Sequence, residues 1–187
     1  MITRRSLLAA PALLAAFPAS GTAAEDTAWA ALREPGAVAL FRHALAPGGG
    51  DPPGMRLDDC ATQRNLNDVG RAQARRIGEA FRARGVEVGG VLTSEWCRCR
   101  ETAELAFPGR AVAEPAFNSF FGDRSQGPAR TAAARRILDA WSGPGALVVS
   151  THFVNISALT GIGPGSGEGI VMRRGARGLE VVGRIAP

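Results

Sequence analysis

Only two histidines occur in the 187 residues, His43 and His152, and each closes an apolar run: ALFRH at 39–43 and ALVVSTH at 146–152. A third run, VLTS at 91–94, leads directly into EWCRCR, which carries Arg98. Arg42 stands beside the first histidine. Two planar five-donor guanidinium forks and an imidazole suit a tetrahedral dianion. A neutral imidazole nitrogen can attack phosphorus in line with the leaving oxygen while the arginines bind the equatorial oxygens. The same set suits a metal poorly. Arg42 and Arg98 would place positive charge beside a cation, and Cys97 and Cys99, two apart in a helical stretch, do not readily chelate one ion with His43 and His152. Neither a metal nor a cofactor is expected.

One arginine alone carries little weight here, because all 22 basic residues are arginine and lysine is absent. What matters is how the elements position them. AVALF at 37–41, VEVGGVLTS at 86–94 and GALVVSTH at 145–152 read as strands, the first and last as short buried apolar runs. Between them, LNDVGRAQARRIGEAFRARG predicts an amphipathic helix with Asn67 as cap, Gly85 as stop and Leu66, Val69, Ile77, Ala80 and Phe81 near one stripe. SEWCRCRETAELAF predicts a helix capped by Ser94 and ended by Pro108-Gly109. A short extended segment AVAEPAF, a helix from Pro128 to Trp141, a short helix VNISALTG and a strand pair GIVMRR/GLEVVGRI complete the chain.

This alternation predicts an α/β fold, a three-layer α/β/α sandwich around a mostly parallel sheet with an antiparallel edge. Working sites in such folds lie beyond the carboxyl ends of the strands. Both histidines, Arg42, Ser94 and Arg98 fall on that rim.

The first two dozen residues read separately. Arg4 and Arg5 precede an apolar stretch from Leu7 to Phe17, too short to span a bilayer, and Gly21 to Ala24 are small. Residues 1–24 are expected to be an export signal resembling the twin-arginine type, followed by one domain over 25–187. A periplasmic or secreted location follows, without stable membrane insertion after cleavage. The formal charge of +5 is interspersed with acids, so no nucleic-acid partner is expected. Export permits one disulfide among Cys60, Cys97 and Cys99. A Cys97–Cys99 bond is disfavoured on one helix, so Cys60 is expected to reach one of those two, the choice between them staying open and a fully reduced set being the alternative.

FRHA at 41–44, NLNDVGRAQA at 65–74, TSEWCRCRETA at 93–103 and VVSTHFVNISALTG at 148–161 resemble, in order, the signature blocks of the histidine phosphatase superfamily, the phosphoglycerate mutase and acid phosphatase group. The resemblance spans nearly all of the chain past the signal. It departs from the family's Arg-His-Gly at Ala44. It implies that His43 is the nucleophile and becomes transiently phosphorylated. It further implies that Arg42 and Arg98 bind the phosphoryl group, that His152 donates a hydrogen bond to it, and that Thr102 packs the helix bearing Arg98.

The resemblance leaves the general acid open. The family supplies a carboxyl group either directly after the second histidine, where this chain has Phe153, or in a loop where Asn118 aligns. Asp123 and Glu168 are the substitute proton donors expected from the sequence. The expected activity is hydrolysis of phosphomonoesters or of phosphohistidine, whose leaving group needs less proton assistance; the small phosphorylated substrate is the one partner implied. The alternative is a protein of the same fold that binds a phosphorylated ligand with little or no turnover. Loop 46–60 is expected to wall the pocket; Phe117, Phe120 and Phe121 are candidates for an apolar wall or lid, with buried core as the commoner fate of such residues.

Overall fold

The computed structural model describes residues 23–176 and 178–187, so most of the expected signal at 1–24 lies outside the described residues. Six strands form one sheet: β1 (Val38–Arg42), β2 (Val88–Thr93), β3 (Ala111–Ala113), β4 (Ala146–Thr151), β5 (Gly169–Gly175) and β6 (Gly178–Ile185). Their spatial order is β3-β2-β4-β1-β5-β6. The β3–β2, β2–β4 and β4–β1 pairs are parallel, whereas β5 pairs with β1, and β6 with β5, antiparallel. Among the described residues there are five α-helices: α1 (Ala23–Ala31), α2 (Asp68–Ala83), α3 (Cys97–Ala106), α4 (Gly127–Ala140) and α5 (Phe153–Thr160). None is long and apolar enough to cross a membrane.

Strand side chains alternate between the two faces, so a sheet covered on both sides needs apolar residues at every central position. Val38 and Leu40 join one core with Leu138 of α4 and Ile156 of α5. Ala39 and Phe41 join the other with Trp29 and Leu32 around α1, Ile77 and Phe81 of α2, and Ala103 of α3. This is the three-layer α/β sandwich. The central strand β4 is buried along its whole length.

Two local details depart from the sequence expectation. The helix α1 was not anticipated in AEDTAWAAL; its Trp29 lies edge-on against Phe81 and is held there by packing that sequence periodicity does not show. In α2, capped by Asn67 as expected, Val69 is exposed, and the buried stripe instead includes Gly70 and Gly78. Gly70 is required there: a Cβ on it would stand 2.1 Å from the Leu45 carbonyl oxygen. That absence of a side chain lets the first turn of α2 press against the segment just beyond His43.

Candidate active site

Strand register assembles the site. Arg42 lies opposite Thr151 in the β1–β4 pairing, and the His43 N–H continues the ladder to the Thr151 carbonyl at 2.9 Å. The residue that follows β4 is His152, at the start of α5, and the two imidazole centroids stand 5.6 Å apart. On the other side of β4 the Ser94 N–H bonds the Ser150 carbonyl at 2.9 Å, which brings the β2 end and α3 to the same rim. Both histidines and Arg98 are buried at 2–3% exposure, while Arg42 is half-buried.

His43 has a defined tautomer. Its Nδ1 is 2.8 Å from the Ala44 carbonyl oxygen, which can only accept, so Nδ1 carries the proton and Nε2 keeps its lone pair. Burial lowers its pKa to about 3, and the Arg98, Arg64 and Arg42 charges push the same way against the Ala44 bond. A neutral ring at ordinary pH is therefore available as a nucleophile. Ala44, which takes the place of glycine in the family pattern, is fully buried and keeps an ordinary negative φ. Its N–H donates to Thr102 Oγ1 at 3.0 Å. Thr102 in turn donates to the Arg98 carbonyl at 2.7 Å, fastening α3 to the segment that bears His43.

His152 is set by a chain of bonds. Arg98 Nη2, which can only donate, is 3.4 Å from His152 Nδ1, leaving Nε2 to donate to Ser94 Oγ at 2.8 Å. Ser94 Oγ donates onward to Asn118 Oδ1 at 3.2 Å, and Asn118 Nδ2 donates to Glu95 Oε2 at 2.6 Å. Burial first, then the Arg98, His43, Arg64 and Arg42 charges, depress the His152 pKa well below the ordinary imidazole value. Asn118, aligned where the family carries an acid, thus links Ser94 to Glu95 in a relay behind His152. Ser94 is drawn into the same relay and only brushes the Trp96 N–H at 3.3 Å. The expected Ser94 cap gives way to a helix that begins at Cys97, where the N–H donates to Gln63 Oε1 at 2.9 Å.

Four arginines line a cavity of about 710 Å³: Arg42, Arg98 and Arg64, and Arg130, whose guanidinium is bonded to Gln126 and the Pro115 carbonyl. Arg64 was missed in the sequence because one more arginine among so many carries no signal. Its N–H donates to Asp51 Oδ1 at 3.3 Å, and its Nε to the Gly50 carbonyl at 2.9 Å. Asp51 was missed too, although the loop holding it was expected to wall the pocket. Its two carboxylate oxygens receive Arg98 Nη1 at 2.6 Å and Nη2 at 3.1 Å, and Oδ2 also accepts from Trp96 Nε1 at 3.0 Å. Burial would raise the Asp51 pKa, but the Arg98 bonds and charge, with Trp96 and the Arg64 N–H, hold it below the ordinary carboxylate value.

The loop wall is clamped to α3 by a Cys60–Cys97 disulfide with a Cα–Cα distance of 5.7 Å. Cys99 is a free, buried thiol whose pKa burial raises to about 12. Among the described residues no group of three or more His, Cys, Asp or Glu is arranged to hold a metal ion.

The two carboxylates singled out in the sequence lie apart from this floor. Asp123 lines the outer cavity, where it caps a 3₁₀ turn and accepts from the Ser125 N–H and Oγ and from Gln126 Nε2. Those bonds lower its pKa. Glu168 does not line the cavity. Its carboxylate accepts from the Gly165 N–H at 2.6 Å and pairs with Arg184 at 2.9 Å, and its carbonyl receives the Arg42 N–H at 3.1 Å. Of the expected phenylalanines, Phe117 and Phe120 are buried in the core and Phe121 is 58% exposed on the cavity rim.

Residues 40–145 match the family model of the histidine phosphatase superfamily, branch 1. The chain belongs to that superfamily. Its fold is shared with the open reading frame Rv3214 from Mycobacterium tuberculosis, at 13% identity and a TM-score of 0.60, over 78% of this chain and 94% of that one. The protein histidine phosphatase SixA, solved with tungstate, is 18% identical with a TM-score of 0.55, covering 81% and 97% of the two chains. The mycobacterial glucosyl-3-phosphoglycerate phosphatase Rv2419c is 13% identical with a TM-score of 0.55, over 78% and 95%. No curated protein matches the chain.

Proposed function

We propose that the protein is an exported phosphatase that hydrolyses phosphomonoesters or phosphohistidine through a phosphorylated His43. The observation that carries this reading is the His43 ring itself: neutral, with Nδ1–H tied to Ala44, its Nε2 lone pair free, and Arg42, Arg64 and Arg98 lining the same cavity. Arg42, Arg64 and Arg98 hold the equatorial oxygens of the phosphoryl group, and His43 Nε2 attacks phosphorus as the leaving oxygen departs. A bound dianion also reverses the local field at His152. Its Nδ1 then gains a proton and donates to the phosphoryl oxygen in place of accepting from Arg98. Water hydrolyses the phosphohistidine in the second half-reaction. The SixA structure with tungstate, a tetrahedral oxyanion, supports the same use of this fold.

Export is part of the proposal. A Cys60–Cys97 bond suits an oxidising compartment outside the cytosol, and the Arg4-Arg5 segment supplies the signal. The expected partner is a small phosphorylated molecule, and neither a metal nor a cofactor enters any step. Incubation with labelled phosphomonoester and acid-free quenching should trap a phosphoenzyme that is acid-labile and absent in His43→Ala. Full activity in His43→Ala would sink the reading.

A further inference from the structure

In-line displacement at His43 places the leaving oxygen on the side of phosphorus away from the floor, toward the cavity mouth. An alkoxide leaving there needs a proton, and general acids contribute about 10²–10⁴-fold to such steps. Asn118, at the position where the family carries its acid, has no proton to give and is committed to Ser94 and Glu95. Two carboxylates line the cavity, Asp51 and Asp123. They differ in what holds them. The bonds of Asp123 come from its own 3₁₀ turn, not from Arg42, Arg64 or Arg98. The principal bonds of Asp51 come from Arg98, the guanidinium that the phosphoryl group must also engage. Both residues line the cavity, and the Asp51 side chain, 17% exposed against 4% for Arg98, is the more open member of the pair.

We infer that Asp51 is the proton donor of the reaction, held on Arg98 in the free protein and released from it by the arriving phosphoryl group. The inference rests on the phosphohistidine reading above. In the free protein Asp51 neutralises a buried guanidinium that would otherwise lack a counter-charge. The phosphoryl oxygens then take over the Arg98 fork. Asp51 loses two charge-assisted bonds and gains an anionic neighbour, and both changes raise its affinity for a proton. That proton enters with the monoanionic form of the substrate.

In the first step the His43 Nε2 lone pair forms the P–N bond, the P–O bond breaks, and its electron pair leaves with the oxygen, which takes the Asp51 proton. In the second, a water oxygen forms a P–O bond and passes a proton to Asp51, and the P–N pair returns to Nε2. Arg64 and the disulfide keep the loop in place while the carboxylate moves: the Arg64 side chain binds the Gly50 and Ala46 carbonyls, and Cys60 is bonded to Cys97, adjacent to Arg98.

The test compares leaving groups. Asp51→Asn and Asp51→Glu are assayed in the full mature protein on an alkyl phosphate, whose alkoxide needs protonation, and on p-nitrophenyl phosphate, whose phenolate does not. Asp51→Asn is expected to lower kcat/KM for the alkyl ester about 10²-fold or more and for the nitrophenyl ester less than about 10-fold. Asp51→Glu is expected to restore part of the alkyl activity. Inorganic phosphate should inhibit Asp51→Asn more tightly than wild type, because no carboxylate then competes for Arg98.

Equal losses on both esters, or no loss on either, would overturn the assignment and leave Asp51 as a counter-ion only. If Asp51→Asn does not fold, the alkyl-to-nitrophenyl ratio in Asp51→Ser, which likewise lacks the acid, decides: a ratio equal to wild type overturns the proposal, and a lowered one supports it. The phosphoenzyme separates this from the reading beneath it. A wild type that forms no phospho-His43 refutes the phosphohistidine mechanism itself, whereas a labelled wild type with an unchanged leaving-group ratio refutes Asp51 alone.

Discussion

The floor of the cavity and its outer wall are built in opposite ways. The floor consists of the ends of β1, β2 and β4, where His43, Ser94 and His152 are placed by ladder hydrogen bonds and buried within a few per cent of completely. The wall consists of loop 46–60 and the segment around Phe121 to Gln126, held by side-chain bonds, one disulfide and few apolar contacts. A floor fixed by backbone register can hold an unprotonated imidazole among three arginines without relaxing. A wall fixed by exchangeable side-chain bonds can yield a carboxylate when a dianion arrives.

The sharpest way to break this contrast is at the floor. His43→Ala should lower turnover by roughly 10³–10⁶-fold while leaving the circular dichroism spectrum unchanged, since the residue supplies the nucleophile and no ladder bond of its side chain. Arg98→Ala should reduce kcat by about 10²–10³-fold. It should also destabilise the fold by about 3–5 kcal/mol in urea titration, because Asp51 is left partly buried without its partner. A floor variant that lost only KM would contradict the division.

At the wall the disulfide is the test of stability. Reduction, or Cys60→Ser with Cys97→Ser, opens a cross-link between residues 37 apart and should lower unfolding free energy by roughly 4 kcal/mol on a chain-entropy basis. The matching test of the floor is pH. The depressed imidazoles of His43 and His152 stay neutral in the folded chain, while the unfolded chain protonates them below about 6.5. Stability should therefore be fully present above that value and fall as pH drops, for His43 until about 3 and for His152 in the same direction, at most about 1.4 kcal/mol per unit for each ring. Differential scanning calorimetry across that window measures it. Smallest of all, Phe121→Ala at the exposed rim should shift KM for an aryl phosphate less than about 10-fold and move the stability by no more than about 0.5 kcal/mol.

Most strands and helices were legible because each is bounded by a strong local signal: Asn67 caps α2, Gly85 follows it at φ 60°, and continuous apolar runs mark β1 and β4. The misreadings also have local causes. Ser94 looked like a cap because serine before a helix usually is one, but its hydroxyl is claimed by His152 and Asn118 across the sheet. Val69 fits the helical stripe by spacing yet faces solvent, since α2 packs through Gly70 and Gly78 where backbones approach closely. Arg64 and Asp51 gave no usable signal, one lost among 22 arginines and the other inside a glycine- and proline-rich loop.

The sequence by itself determined the layered α/β class and which residues end its strands, because burial and turn signals act over a few residues and leave a readable period. It therefore named His43, Arg42, Arg98 and His152 as one rim. Only the tertiary structure decided which cysteine Cys60 meets, that Arg64 joins the cavity, and that Asp51 lies on Arg98. Those facts depend on how the connection over residues 43–67, between β1 and α2, folds back across α3. Its course is set by a handful of long-range bonds from Gln63, Arg64 and Cys60, and no local pattern in the chain encodes them.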